Sequence, residues 1–364
     1  MAQIKFQSVT KRFGENVALN ALSLDVADGE FFVLLGPTGA GKTTTLRLIA
    51  GLETLDDGSI EIAGENVHNH TAAERDVALV FQYYSLYPRY TVRQNLEFPL
   101  RSRARNLKQD EIDHRVNRAA KTLRIGHLMD RKTDRLSGGE MQRVSIGRAI
   151  VREPRAFLMD EPLSNLDAKL REALRSELKE LQIRLRATIV FVTHDQVEAM
   201  SMGDKIGVLN KGELIQVGTP WEIYNRPCNT FVASFVGSPS MNMIPAEVAN
   251  GQCILFGGQQ KLTMPVKSGL ENLVVGVRSE DVQLVKSGGV KAVIHDVENH
   301  GVEKIVTLRV GELLLKTTLP SKIEATVDGE VRFLIDGNMA HYFDPTTGTN
   351  LAPPASSPVK KQRT

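Results

Sequence analysis

One stretch, Phe31–Ala50, read FFVLLGPTGAGKTTTLRLIA, limits what this chain can become more than any other. Phe31-Phe32-Val33-Leu34-Leu35 are consecutive apolar residues and predict a strand buried on both faces. The loop Gly36-Pro37-Thr38-Gly39-Ala40-Gly41-Lys42-Thr43 follows, and Thr44 to Ala50 predicts a helix that stops at Gly51. This is G-x-x-x-x-G-K-[ST] in a strand–loop–helix context, the context that gives the motif its meaning. Glycines let backbone N–H groups converge on an anion, and the helix N-terminus adds its dipole. Lys42 supplies a charge for β- and γ-phosphates, and Thr43 offers a hydroxyl to Mg²⁺. The stretch therefore predicts binding of a nucleoside triphosphate.

The chain has 364 residues, enough for two or three domains with ample core. Lys plus Arg number 45 against 43 for Asp plus Glu, so bulk charge makes no case for nucleic acid. Cys228 and Cys253 are too few for a disulfide framework and lie in no metal-ligand spacing, which fits a reducing compartment. The N-terminal residues MAQIKFQSVTKRF lack the apolar core of a signal peptide. No apolar run approaches the roughly 20 residues of a spanning helix, so any membrane role is expected to come through a partner.

Along the chain, Ile4 to Thr10 predicts an edge strand and Leu22 to Val26 its hairpin partner. The turn between them presents Phe13, an aromatic that either anchors the loop or, beside a phosphate-binding loop, stacks on a base. Ile60 to Ile62 and Val77 to Phe81 predict further strands, and Gln82 stands where the second ends. From about 88 to 155 the apolar residues recur at helical spacing (Ile112, Val116, Ala119, Ala120, Leu123), opposite a charged face. This predicts a helical insertion in an α/β core. Its last helix opens at Leu136-Ser137-Gly138-Gly139-Glu140, where Ser137 and Glu140 fit a capping box. Ala156 to Met159 predicts a strand ending in Asp160-Glu161-Pro162, and such paired carboxylates suit metal binding by the first and water activation by the second. The turn Ser164-Asn165-Leu166-Asp167 follows. Thr188 to Thr193 predicts another buried strand, which would deliver His194 to the same edge, where ligands of open α/β sheets bind. Past the linker Gly237–Pro239 the pattern turns to short alternating strands, such as Val306 to Val310, and predicts an all-β, OB-type barrel. Residues 351–364 are Pro/Ser-rich and then Lys-rich, the composition of a disordered tail.

These signals stand in one order: phosphate-binding loop, Gln82, LSGGE at Leu136–Glu140, MDEP at Met159–Pro162, SNLD at Ser164–Asp167, and His194. Together they resemble the nucleotide-binding subunit of ATP-binding cassette (ABC) transporters. FQYYSLYP, LSNLDAKLR, THDQVEAM, SFVGSPSMN and GVRSEDV (Gly276–Val282) narrow the resemblance to carbohydrate-importer ATPases, over nearly the whole chain. The resemblance implies an ATPase domain over 1–236 with a helical subdomain at about 88–155, and a regulatory β domain over 237–350. It implies ATP and Mg²⁺ as cofactors. Phe13 would stack the adenine; Gly36, Thr38, Gly39, Gly41, Lys42, Thr43 and Thr44 would hold phosphates; Thr43, Gln82 and Asp160 would surround Mg²⁺. Glu161 would polarise the attacking water and His194 would contact the γ-phosphate, with Gln82 also catalytic; Ser137 and Gly139 would complete the other protomer's site in a head-to-tail homodimer, and Glu140 and Asp167 would also belong to the nucleotide-binding set. The partners implied are integral membrane permease subunits and, indirectly, a periplasmic or extracellular solute-binding protein. The location implied is peripheral, on the cytoplasmic face of the cell membrane. The solute implied is a sugar, polyol or glycerol phosphate. One position departs from the family: Glu140 stands where the signature usually ends in Gln, suiting the capping box while adding negative charge near a triphosphate.

Two other classes weigh against this reading. A non-transport cassette ATPase would carry tandem cassettes or long coiled coils, but the cassette here is single and Ala50 to Leu136 shows no sustained heptads. A nucleic-acid-binding β domain would need a basic aromatic surface, yet Phe256, Phe333, Tyr342 and Phe343 are its only aromatics after residue 240.

Overall fold

The computed structural model describes residues 2–102, 105–263 and 269–351. The expected tail at 352–364 lies outside them. The chain divides at Pro220 into two compact units.

The first unit opens with β1 (Ile4–Phe13) and β2 (Asn16–Val26), a long hairpin, then β3 (Phe31–Leu35), α1 (Lys42–Ala50), β4 (Asp57–Ile62), β5 (Glu65–Asn66) and β6 (Val77–Val80). The helical segment carries α2 (Val92–Glu97), α3 (Gln109–Thr122) and α4 (Gly138–Ile150). The chain then returns through β7 (Ala156–Asp160), α5 (Ala168–Leu185), β8 (Ile189–Thr193), α6 (Gln196–Met202), β9 (Lys205–Asn210) and β10 (Glu213–Gly218).

Two sheets result. The order in the six-stranded one is β10-β9-β3-β8-β7-β6, with β3, β6, β7, β8 and β9 parallel. All five residues of β3 and of β8 are buried, which is why both read as unbroken apolar runs rather than alternating ones. The antiparallel sheet has the order β2-β1-β4-β5. The strand at Ile4 is thus interior, not the edge strand expected from its alternation: β1 pairs with β2 on one side and with β4 on the other. One core joins the two sheets, bringing Ile4, Phe6 and Val26 together with Phe32 and Leu34 of β3, Leu46 and Ile49 of α1, and Leu158 of β7.

The second unit begins with two short helices, α7 (Pro220–Asn225) and α8 (Thr230–Phe235). Its strands are β11 (Asn242–Ala249), β12 (Gln252–Leu255), β13 (Gln260–Thr263), β14 (Asn272–Val277), β15 (Val282–Val285), β16 (Val290–Asn299), β17 (Glu303–Val310), β18 (Leu313–Pro320), β19 (Glu330–Ile335) and β20 (His341–Phe343). They form two five-stranded antiparallel sheets, β13-β12-β11-β14-β20 and β15-β19-β16-β17-β18, around a common core that includes Val275, Leu308, Phe333 and Tyr342. The all-β region is as expected. The helix α8 and all of α7 but its first residue fall in this unit.

Candidate active site

The parallel strands set the site. β3 runs into the glycine loop, β6 leads to Gln82, β7 ends at Asp160 and Glu161, and β8 leads to His194, so all these groups emerge at the C-terminal edge of one sheet. The loop needs its glycines. Gly41 sits at φ 104° in the left-handed region, and a Cβ there would lie 2.6 Å from the Ala18 carbonyl oxygen. Gly41 caps α1 with no side-chain hydrogen bond, so the first N–H groups of the helix have no side chain to accept them. At the other end Gly51, also left-handed, terminates the helix as expected, its N–H donating to backbone carbonyls of the last turn.

A cavity of about 690 Å³ opens over this loop. Thr38, Gly39, Gly41, Lys42, Thr43 and Thr44 line it from the loop side, with Phe13, Gln82, Asp160, Glu161 and His194 facing them. Phe13 is 45% exposed at the end of β1, with the Lys11 ammonium 4.9 Å from its ring centre, so the ring is not an anchoring core residue. Lys42 is 5% exposed; its Nζ donates to the carbonyls of Gly36 (2.9 Å) and Pro37 (3.0 Å) and lies 3.8 Å from Glu161 Oε1. Burial pulls the Lys42 ammonium below its ordinary pKa, against the opposing pull of the Glu161 and Asp160 carboxylates. Thr43 Oγ1 donates to Asp160 Oδ1 at 3.0 Å, and burial pushes the Asp160 carboxyl upward despite that bond. Glu161 Oε2 lies 3.0 Å from His194 Nδ1. Glu161 adopts φ 43°, a left-handed conformation uncommon for a non-glycine residue. Gln82 is tied to the turn after β7: its Nε2 donates to Ser164 Oγ at 3.3 Å, and its carbonyl accepts from Asn165 Nδ2 at 3.0 Å.

Five of the expected residues, Gly36, Ser137, Gly139, Glu140 and Asp167, do not line this cavity. Ser137 caps α4, its Oγ donating to Glu140 Oε2 at 2.9 Å while the Ser137 N–H donates to the same oxygen at 2.7 Å. The expected capping box is thus present, and the Ser137 backbone N–H is the main reason the Glu140 carboxyl lies below its ordinary pKa. Gly139 leaves the space that Leu170 of α5 occupies. Asp167 caps α5, accepting from the Leu170 N–H at 3.0 Å. Gly36 is likewise not a lining residue; its carbonyl is used to hold Lys42.

Sequence reasoning missed Asn16, Val17, Ala18 and Lys211, all of which line the cavity. The first three open β2 just across the hairpin turn from Phe13, which pairs with Asn16. Lys211 sits in the Lys211-Gly212 turn between β9 and β10, and Gly212 donates its N–H to the Ala40 carbonyl of the loop at 3.0 Å. Only the adjacency of Asn16 to Phe13 was visible in the sequence.

A phosphate-binding loop at the head of a central parallel strand, facing two carboxylates and a histidine at neighbouring strand ends, defines a P-loop nucleotide-binding protein. Residues 19–164 match the family model described as ABC transporter, and residues 237–282 match the one described as MalK OB fold domain. Over 370 residues the chain is 46% identical to the trehalose/maltose import ATP-binding protein MalK of Thermococcus litoralis, covering 96% of this chain and 99% of that one. It is 42% identical to the sn-glycerol-3-phosphate import ATP-binding protein UgpC of Ruegeria pomeroyi, over 97% of this chain and all of the relative. Among solved structures it resembles a dimeric ATP-binding cassette in a post-hydrolysis state with ADP and Pi, at 31% identity and a TM-score of 0.53, covering 60% of this chain and 98% of that one. The chain belongs to the ATP-binding subunits of ABC transporters, and ATP is its nucleotide.

Proposed function

We propose that two copies of this chain, packed head to tail, hydrolyse ATP and thereby energise import of a sugar or sugar-like solute through separate membrane permease subunits. The observation that carries the hydrolytic half is the grouping of Glu161 with His194 at 3.0 Å and with Lys42 at 3.8 Å, in the cavity over the phosphate-binding loop. The import half is supported by the names of the relatives, which import trehalose/maltose and sn-glycerol-3-phosphate. A sugar, polyol or glycerol phosphate is the solute class we assign, with a solute-binding protein acting upstream of the permease. A place on the cytoplasmic face of the membrane follows from that assembly, and no helix among the described residues is long and apolar enough to cross a bilayer itself.

In this reading Lys42 moves from its carbonyl partners to the β- and γ-phosphates, and the N–H groups of α1 take the remaining phosphate oxygens. Phe13 stacks on adenine. The donors present suit Mg²⁺: the Thr43 hydroxyl and Asp160 carboxylate oxygens lie 3.0 Å apart, with Gln82 on the same cavity wall, an all-oxygen set of the kind this hard cation takes. When bound, the ion neutralises charge on the phosphoryl oxygens. Glu161 accepts the proton of the attacking water, and His194, oriented by Glu161, contacts the γ-phosphate. Ser137, Gly139, Glu140 and Asp167, which do not line their own loop's cavity, serve the site of the partner copy, as a two-fold pair allows. The working ATPase domain is residues 1–236, with the helical subdomain at about 88–155 docking the permease and residues 237–350 regulating.

Glu161→Gln tests the hydrolytic assignment. The amide keeps the shape but accepts no proton, so ATP binding is retained and turnover falls about 10²–10⁴-fold. Steady-state turnover within a few-fold of the wild type removes Glu161 from the role.

A further inference from the structure

The second unit carries a groove of about 890 Å³ that no part of the ATPase reading uses. It lies on the outward face of the sheet β15-β19-β16-β17-β18. Pairing puts Arg332 of β19 opposite Val285 of β15 and Lys291 of β16, and puts Val293 opposite Arg309 of β17 and Glu330 of β19. Paired residues share a face, so Lys291, Arg309 and Arg332 converge from three adjacent strands around Val285 and Val293, with Glu330 as the one carboxylate in the lining. Lys286, one residue past β15, adds a fourth cation to the lining.

Two features set this patch apart from an ordinary solvated face. Lys291 and Arg332 are like charges directly opposite each other, an arrangement that costs stability. Among the described residues no carboxylate lies in ion-pair range of these four cations, although surface cations elsewhere find one, as Lys316 finds Glu298 at 3.3 Å in this same unit. Arg332 is held instead by the turn between β15 and β16, its Nη1 donating to the Gly288 carbonyl at 3.3 Å. Half-buried Val285, Val293 and Val310, with exposed Ile323, give the groove apolar surface between the charges. Its volume lies within the ordinary range of small-molecule sites and is far larger than one phosphate needs. No aromatic lines it, which removes the stacking platform that single-stranded nucleic acid uses.

We propose that this groove binds a small organic anion, a phosphate monoester or sulfonate with an apolar body, whose charged group sits between Lys291, Arg309 and Arg332. Arg presents a planar fork that matches phosphate or sulfonate oxygens, and the ligand relieves the like-charge pair that the empty sheet carries. Val285 and Val293 cover the body of the ligand.

The test uses the full chain with its phosphate-binding loop filled by ADP and Mg²⁺, so that anions cannot report on that loop. Phenyl phosphate, inorganic phosphate and phenol are titrated by calorimetry. The expected order is phenyl phosphate tightest, inorganic phosphate weaker by about tenfold and phenol not bound, because both charge and apolar surface contribute. The double variant Lys291→Gln, Arg309→Gln is expected to weaken phenyl phosphate by about tenfold or more, with ADP affinity unchanged and the unfolding midpoint equal or higher. Absence of phenyl phosphate binding overturns the proposal, as does binding that the double variant leaves intact. An acidic peptide that binds where phenyl phosphate does not also overturns it.

Discussion

Lys42 and Arg278 are both buried cations, 5% and 3% exposed, and both donate to backbone carbonyls, yet they sit in opposite situations. Lys42 holds two carbonyls of its own loop and faces a cavity lined by Asp160 and Glu161. Arg278, just after β14, donates to the carbonyls of Ala233 (3.1 Å) and Tyr224 (2.9 Å) and to that of Val236, and lies 4.0 Å from the centre of the Tyr224 ring. Burial pulls the pKa of each downward, with no carboxylate within ion-pair range of Arg278 among the described residues. The difference is space. A cation with open volume and carboxylates before it is free to exchange its partners for a ligand; one whose donors are consumed by three carbonyls of α7 and α8 fastens those helices to the β domain. Burial of charge alone does not identify a site, whereas burial beside a polar cavity does.

The largest expected effect breaks the comparison on the Lys42 side. Lys42→Ala removes charge-assisted bonds to the phosphates, each worth about 1.5–3 kcal/mol, so ATP affinity is expected to fall about 10²–10³-fold. The fold should survive, because Lys42 carries a desolvation cost of its own that the substitution removes. Equilibrium binding of a fluorescent ATP analogue reads the first outcome and thermal unfolding the second. An affinity within a few-fold of the wild type would show that Lys42 is as structural as Arg278.

Arg278→Leu should do the reverse. It leaves three carbonyls without their donor, and unsatisfied buried groups cost about 1–3 kcal/mol each, so a loss of about 3–5 kcal/mol in the second unit is expected. Trp221, the one tryptophan in the chain, lies in α7 beside the affected helices and reports urea unfolding of that unit by fluorescence. ATP affinity of the folded variant is expected to match the wild type. A stable variant with weakened ATP binding would reverse the assignment of the two cations.

Lys42 was legible in the sequence and Arg278 was not, for a physical reason. The phosphate-binding loop, the Ser137–Glu140 capping box and the Gly51 stop are local signals, written within a few residues by backbone geometry. Asp160, Glu161 and His194 follow apolar runs that can only be buried strands, so their gathering at one edge also follows from local patterning. Arg278 was visible only as a member of GVRSEDV, because its burial depends on Tyr224, Ala233 and Val236, all distant in sequence. The interior place of β1 was misread for the same reason: its second partner, β4, lies beyond the phosphate-binding loop and α1, and alternation cannot count partners. Lys211 reaches the cavity from a hairpin turn that carries no motif.

The smallest expected effect tests whether the buried polar groups around Arg278 are structural throughout. His341, 4% exposed, has its pKa pushed down to about 4 by burial and, secondarily, by the Arg278 charge. Its folded value lies below the unfolded one of about 6.5, so its contribution is complete above that pH and is lost as pH falls from about 6.5 toward 4. Asp281 runs the other way: burial, helped by Glu280, raises its pKa to about 6. Its contribution is complete below about 3.9 and is lost as pH rises through about 6. Between about pH 4 and 6 the two slopes oppose each other, and the wild-type unit should lose stability with acid less steeply than His341 alone dictates. His341→Phe removes one slope, so the variant's stability relative to wild type should improve on acidification from about pH 6.5 to 4, by on the order of 2–3 kcal/mol. Asp281→Asn should tilt the profile oppositely and less, since Asp281 is only half-buried and solvent screens it. Urea midpoints followed at Trp221 across this range give both slopes. Parallel profiles for the two variants would mean that neither group titrates differently in the folded unit, and the contrast with the ligand-facing charges of the ATP cavity would then rest on Arg278 alone.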